Sequence, residues 1–189
     1  IRAANEVLGV GQDYRNGRAD VFGQRLGAAG GLLGGNLAIA AEPSGKNLCD
    51  VAYSLAANDF LVVWGDLLSG GGDILGQRLD ATGAPAGAPF AVVGTAVGEV
   101  TPAVGYDVRS HEYLVTYVAL HEATDFDVWA RRVPAAGLPT EPALPLSGKA
   151  EVQTDCDLVQ NTGSGEFLAV WQDFRNGSYD VFGQLWANL

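Results

Sequence analysis

A block of about fifty residues recurs along this chain, and no other feature limits its fold as strongly. The aspartates that open the most regular stretch are Asp20, Asp73, Asp127 and Asp180, spaced 53, 54 and 53 residues apart. The clearest copies run from Asp13 to Leu26 (Asp-Tyr-Arg-Asn-Gly-Arg-Ala-Asp-Val-Phe-Gly-Gln-Arg-Leu) and from Asp173 to Gln184 (Asp-Phe-Arg-Asn-Gly-Ser-Tyr-Asp-Val-Phe-Gly-Gln). A fixed period of this size marks a modular architecture. Residues shared by every copy then read as scaffold, and residues that break the pattern become the better site candidates.

Each period holds four strand-like segments. The first is a short apolar stretch: Val51 to Ser54, Ala103 to Tyr106, Leu158 to Gln160. The second is continuously apolar, Phe60 to Trp64, Tyr113 to Tyr117 and Phe167 to Trp171, as expected of strands buried on both faces. The third starts at the repeated Asp and alternates, with Val21, Gly23 and Arg25 opposite Phe22, Gln24 and Leu26. The fourth is short: Leu37 to Ala40, Phe90 to Val93, Ala143 to Leu146. Asn16-Gly17 and Asn176-Gly177 link second to third strands as a hairpin signal. No segment has a helical period. Four antiparallel strands per unit, repeated about a centre, predict an all-β, four-bladed β-propeller built as one domain, 1–189, with units near 1–48, 49–100, 101–154 and 155–189. The first unit lacks its first strand and the last lacks its fourth. Either residues Ile1 to Asn5 complete the gap or a partner does.

The net charge of −11 argues against nucleic acid and anionic membrane surfaces as partners, since both select basic patches. No run of apolar residues is long enough to span a membrane as a helix, so membrane insertion is not expected. Ile1 is not an initiator Met and no signal peptide opens the chain, which points to a processed form or a fragment.

The stretch Phe60-Leu-Val-Val-Trp64-x-Asp66, followed by Asp73-Ile-Leu-Gly-Gln-Arg-Leu79, resembles a propeller-type repeat of bacterial secreted and surface proteins. The resemblance covers nearly the whole chain. It implies an array outside the cytoplasm, extracellular, on the cell surface or periplasmic, and no defined activity. In size and unit number alone the chain also resembles the four-bladed hemopexin-like propeller. The third unit departs most, with Tyr117 for Trp, Ala119 for Asp, Ala130 for Gly and Arg131 for Gln.

Several residues are candidates for chemistry. The loops from second to third strands collect Asp13, Asp20, Asp173 and Asp180, a candidate calcium (Ca2+) site, since calcium takes several oxygen ligands. The competing reading is that each Asp caps its hairpin or pairs with the Arg five residues on, as Asp20 with Arg25 and Asp73 with Arg78. The same face gathers Cys49-Asp50 and Asp155-Cys156-Asp157. Cys49 and Cys156 precede the first strands of their units, two periods apart. An internal disulfide, two free thiols, and a link to another chain or ligand all stay open. Trp129 and Trp186 are the least regular aromatics, and Arg109 with His111 forms a polar cluster outside the repeat. These four are candidate ligand or partner contacts.

No Gly-x-Ser-x-Gly elbow, P-loop or His-Glu-x-x-His motif is present, so a non-enzyme is expected, with no cofactor unless calcium. The leading expectation is a structural or interaction module of an exported bacterial protein that binds a protein partner or self-assembles. The alternative is a lectin-like or calcium-binding propeller that recognises glycans.

Overall fold

A computed structural model describes residues 2–3, 6–67, 72–95, 97–122, 125–148 and 151–186. They form four consecutive antiparallel sheets, with no helix among the described residues. The first sheet is β1 (Arg2–Ala3), β2 (Glu6–Asp13), β3 (Asp20–Leu26) and β4 (Leu32–Ala40). The second is β5 (Lys46–Ser54), β6 (Asp59–Asp66), β7 (Asp73–Asp80) and β8 (Phe90–Val93). The third is β9 (Glu99–Asp107), β10 (Glu112–Glu122), β11 (Asp125–Pro134) and β12 (Leu144–Ser147). The fourth is β13 (Gln153–Gln160), β14 (Phe167–Asp173) and β15 (Asp180–Trp186). Within each sheet the strands lie in chain order.

The apolar runs explain how one sheet sits on the next. Phe60, Val62 and Trp64 project from one face of β6 and pack with Leu8, Val21 and Ile39 of the first sheet. Leu61 and Val63, on the opposite face, meet Tyr113, Val115 and Tyr117 of the third sheet together with Ile74 and Val92. Leu114, Val118 and Val128 in turn receive Phe167, Ala169 and Trp171 of the fourth. The central strands β6 and β10 are thus buried on both sides, as their uninterrupted hydrophobic stretches require. A buried Leu or Phe contributes about 1.5–3 kcal/mol. An exposed ion pair such as Arg15–Asp13 is screened by water and adds little, so packing between sheets dominates the stability.

Neighbouring sheets follow one another in an open series. The first strands β5, β9 and β13 lie side by side, and among the described residues no extensive packing joins the fourth sheet to the first. The completion expected of Ile1 to Asn5 is partial. Arg2 pairs with Val7 and Ala3 with Glu6, so β1 fills the first-strand place of the first sheet and does not lie beside β15. Ile1, Ala4 and Asn5 fall outside the described residues.

Two local expectations change. The Asn-Gly hairpins carry six-residue loops, because Asp13 opposite Asp20 and Asp173 opposite Asp180 end their ladders. Gly17 and Gly177 adopt φ of 78° and 80° there, which only glycine accepts without strain. The first strands also begin about five residues earlier than their apolar cores suggest. Leu48, Thr101 and Asp155, one period apart, each adopt a positive φ, of 34°, 51° and 50°, at an irregularity in pairing. A bulge of this kind interrupts alternation and hides the start of the strand.

Two substitutions test this packing. A Cβ on Gly105 would lie 2.5 Å from Cε1 of the fully buried Phe167, so Gly105→Ala should cost about 1–3 kcal/mol by chemical denaturation. Leu48 is exposed and left-handed, so Leu48→Gly should be neutral or stabilising by up to about 1 kcal/mol in the same assay. A clear loss there would mean that the bulge carries no strain.

Candidate functional site

The three adjacent first strands create a concave site that no single segment could make. Leu48, Cys49 and Asp50 from β5, Thr101, Pro102 and Ala103 from β9, and Asp155, Cys156 and Asp157 from β13 line a cavity of about 350 Å³. The bulges shape it, since each of the three strands contributes one left-handed residue to the lining.

Three carboxylates line this cavity, and two of them, Asp50 and Asp157, hold the same place in their sheets with unlike surroundings. Asp50 is partly buried. Its Oδ1 accepts the Val51 amide at 2.7 Å and its Oδ2 accepts the Val104 amide of the third sheet at 2.8 Å. Burial raises its pKa above the ordinary aspartate value, the two amides oppose that rise, and the negative charge of Asp157 adds to it. Asp157 is exposed and accepts the Leu158 amide at 2.8 Å. The third sheet has Ala103 at the place that Asp50 and Asp157 occupy in theirs, and the cavity's third acid, Asp155, sits at the bulge position instead.

The cysteines lie within β5 and β13 rather than before them, because the bulges start those strands early. Both are free thiols and both line the cavity, so the internal bridge is not formed in the structure. Cys156 donates to the Thr101 carbonyl at 3.1 Å. Burial pushes both thiols up to about 11, with Asp50 adding to the shift at Cys49. Thiols held in that state are poor nucleophiles and poor metal ligands at neutral pH.

The hairpin aspartates have local partners. Asp13 accepts the Arg15 amide at 2.7 Å and pairs with the Arg15 guanidinium at 2.5 Å. Asp20 receives Asn16 at 2.7 Å and Arg18 at 3.0 Å. Asp173 takes the Arg175 amide and guanidinium and the Trp171 indole, and Arg175 holds its carboxyl below the usual range. Asp180 receives Asn176 at 2.9 Å. The fold brings Asp13 to Asp20 and Asp173 to Asp180, but the two pairs lie in different sheets. Among the described residues no three His, Cys, Asp or Glu side chains gather as a metal cluster. The Asp–Arg pairing five residues apart does not occur as expected. Arg25 binds Glu6, and Arg78 reaches across to the Pro134 and Ala135 carbonyls of the third sheet.

The remaining candidates scatter. Trp129 and Trp186 are half-buried against the cores, and Trp129 borders a separate pocket with Glu99 and Tyr117. Arg109 and His111 share the turn after β9. Arg109 lies near Asp107, and His111 Nδ1 is 3.3 Å from the Tyr106 hydroxyl. The structure does not bring these four residues together at one pocket. The Cys-Asp pair that recurs after 107 residues is the sequence signal for the cavity. Thr101 and Pro102 carried no such signal.

No family model matches the sequence, and no curated protein matches it. Solved structures do match. One is an endo-arabinase from Bacteroides thetaiotaomicron VPI-5482, with a TM-score of 0.71 and 10% identity, over 100% of this chain and 74% of that one. At that identity the likeness is one of fold, and the fold is propeller-like. It nevertheless overturns the expectation of a non-enzyme, which rested on an architecture treated as scaffold and on missing linear motifs. The same architecture carries a glycoside hydrolase.

The thiols provide a direct check. At about pH 7.5 the native chain should react slowly with a thiol reagent, and two thiols should titrate after unfolding without reductant. Fewer than two would mean that a bridge forms in solution.

Proposed function

We propose that this chain is a propeller-type, carbohydrate-active domain of an exported bacterial protein. Its four sheets act as blades, and the cavity on their first strands takes a glycan within reach of Asp50 and Asp157. One observation carries this reading: two carboxylates from strands two periods apart share one cavity in different environments. Cleavage of a glycosidic bond needs such a pair, one holding a proton and one ionised.

The roles follow from the surroundings. Each Asp50 oxygen accepts one amide and keeps a second lone pair, so it can still carry a proton. Burial and the neighbouring charge keep that proton on to higher pH, which suits Asp50 to protonate the departing sugar oxygen. Asp157, open to solvent, suits the opposite task. It stabilises positive charge at the anomeric carbon and either attacks that carbon or activates water. The shared fold with an endo-arabinase supports the class of chemistry and makes arabinan the first polymer to test.

Release of reducing ends from arabinan and from a panel of other polysaccharides should be detectable. Asp50→Asn and Asp157→Asn should each lower it by at least about 100-fold. Asp157→Asn is the cleaner variant, because its side chain is exposed and the fold should persist. The rate should fall as pH rises through the raised Asp50 pKa, since the acid then loses its proton. If no polysaccharide is cleaved and no oligosaccharide raises the melting temperature, the reading fails.

A further inference from the structure

The far face of the fourth sheet repeats, residue for residue, a surface that is covered elsewhere in the same molecule. On the first sheet, Leu8, Val10 and Gln12 of β2 with Val21 and Gly23 of β3 form the seat on which the second sheet packs Phe60, Val62 and Trp64. On the fourth sheet the corresponding residues are Leu168, Val170 and Gln172 of β14 with Val181 and Gly183 of β15. The side chains are the same, but among the described residues no sheet packs over them. Val181 is 79% exposed, whereas Val21, Ile74 and Val128 at the same place in the other sheets are all 0% exposed. Leu168 is 37% exposed against 2%, 0% and 0% for Leu8, Leu61 and Leu114.

The polar fittings of the seat repeat too. Gln12 donates from Nε2 to the Lys46 carbonyl of the second sheet at 2.7 Å, and the Ala19 carbonyl accepts the Lys46 amide at 2.9 Å. Gln172 and the Tyr179 carbonyl stand at these two places on the fourth sheet. Neither has such a partner among the described residues.

We propose that this face is a docking surface for a partner polypeptide presenting one antiparallel sheet like the second sheet. Its central strand would carry an aromatic, an aliphatic and a tryptophan or tyrosine at alternate positions. Each existing interface is built this way, with Phe60 and Trp64, Tyr113 and Tyr117, or Phe167 and Trp171 as the inserted rings. The first sheet of this chain, its own or that of a second copy, does not suit the role. Val7, Gly9 and Gly11 stand where the rings and the aliphatic side chain are needed, so its central strand supplies neither ring, although Phe22 and Leu26 of β3 share that face.

The test joins a copy of residues 43–95, which hold β5 to β8, to the end of the full chain through a flexible Gly/Ser linker. The linker supplies the effective concentration. Seating of the added sheet should raise the melting temperature of the 189-residue part by about 5 °C or more and suppress binding of a hydrophobic dye. Val181→Asp should abolish both effects in the extended chain. In the chain without the added unit it should shift the melting temperature by less than about 2 °C, because Val181 lies at the surface. No gain from the tethered unit would overturn the proposal. So would a dimer of the unextended chain that Val181→Asp dissociates, since a second copy would then be the occupant.

Discussion

An aromatic ring from the central strand of one sheet, laid on aliphatic side chains of the sheet before it, holds this molecule together. Phe60 with Trp64, Tyr113 with Tyr117 and Phe167 with Trp171 do the same work at three successive interfaces. A single hairpin or three-stranded sheet is marginal in water, because half its apolar surface stays wet. Stacking sheets in series removes that cost for every interior sheet and leaves it only at the ends. Stability in such a series is a sum over interfaces between neighbours. The Tyr113 hydroxyl adds a polar tie, donating to Asp59 of the second sheet at 2.9 Å.

The same stacking produces the cavity. When the sheets pack through their central strands, the first strands are drawn side by side, and β9 lies between β5 and β13. Backbone and side chains from three distant segments then share a small volume. Leu48, Thr101 and Asp155 each adopt a left-handed conformation there, an arrangement that costs free energy and persists only where the surroundings enforce it. The strain is placed beside the two carboxylates and the two thiols, away from the hairpin loops, whose aspartates are occupied in closing their own turns.

Much of the fold was legible because its determinants are local. Alternation in β3 and β15, the uninterrupted runs of β6, β10 and β14, and the Asn-Gly loops are all short-range signals, and the period made each copy corroborate the next. The starts of β5, β9 and β13 were not legible, since Leu48 and Thr101 are not residues that announce a positive φ and Asp155 alone of the three is of a type that tolerates one. Partners of Arg25 and Arg78 were misjudged for a related reason. A fixed offset suggested Asp20 and Asp73, whereas Arg25 pairs across the strand with Glu6 and Arg78 reaches into the next sheet. Trp129 and Trp186 break the repeat but are half-buried against the cores, so irregularity marked packing and not exposure. The expectation of a non-enzyme failed because it searched for motifs within one stretch of chain. Here the acids that share a cavity come from β5 and β13, two periods apart, and no contiguous motif contains such a pair.

The departure from symmetry that matters most is quiet in the sequence. Asp50 and Asp157 occupy the same place in their sheets, and the third sheet has Ala103 there. With Ala103 between them, Asp50 and Asp157 differ in burial, the first partly buried and the second exposed. In a repeat that folds by identity between its units, the proposed chemistry lies where one unit differs, and at Ala103 the difference is the loss of a carboxylate instead of the gain of one.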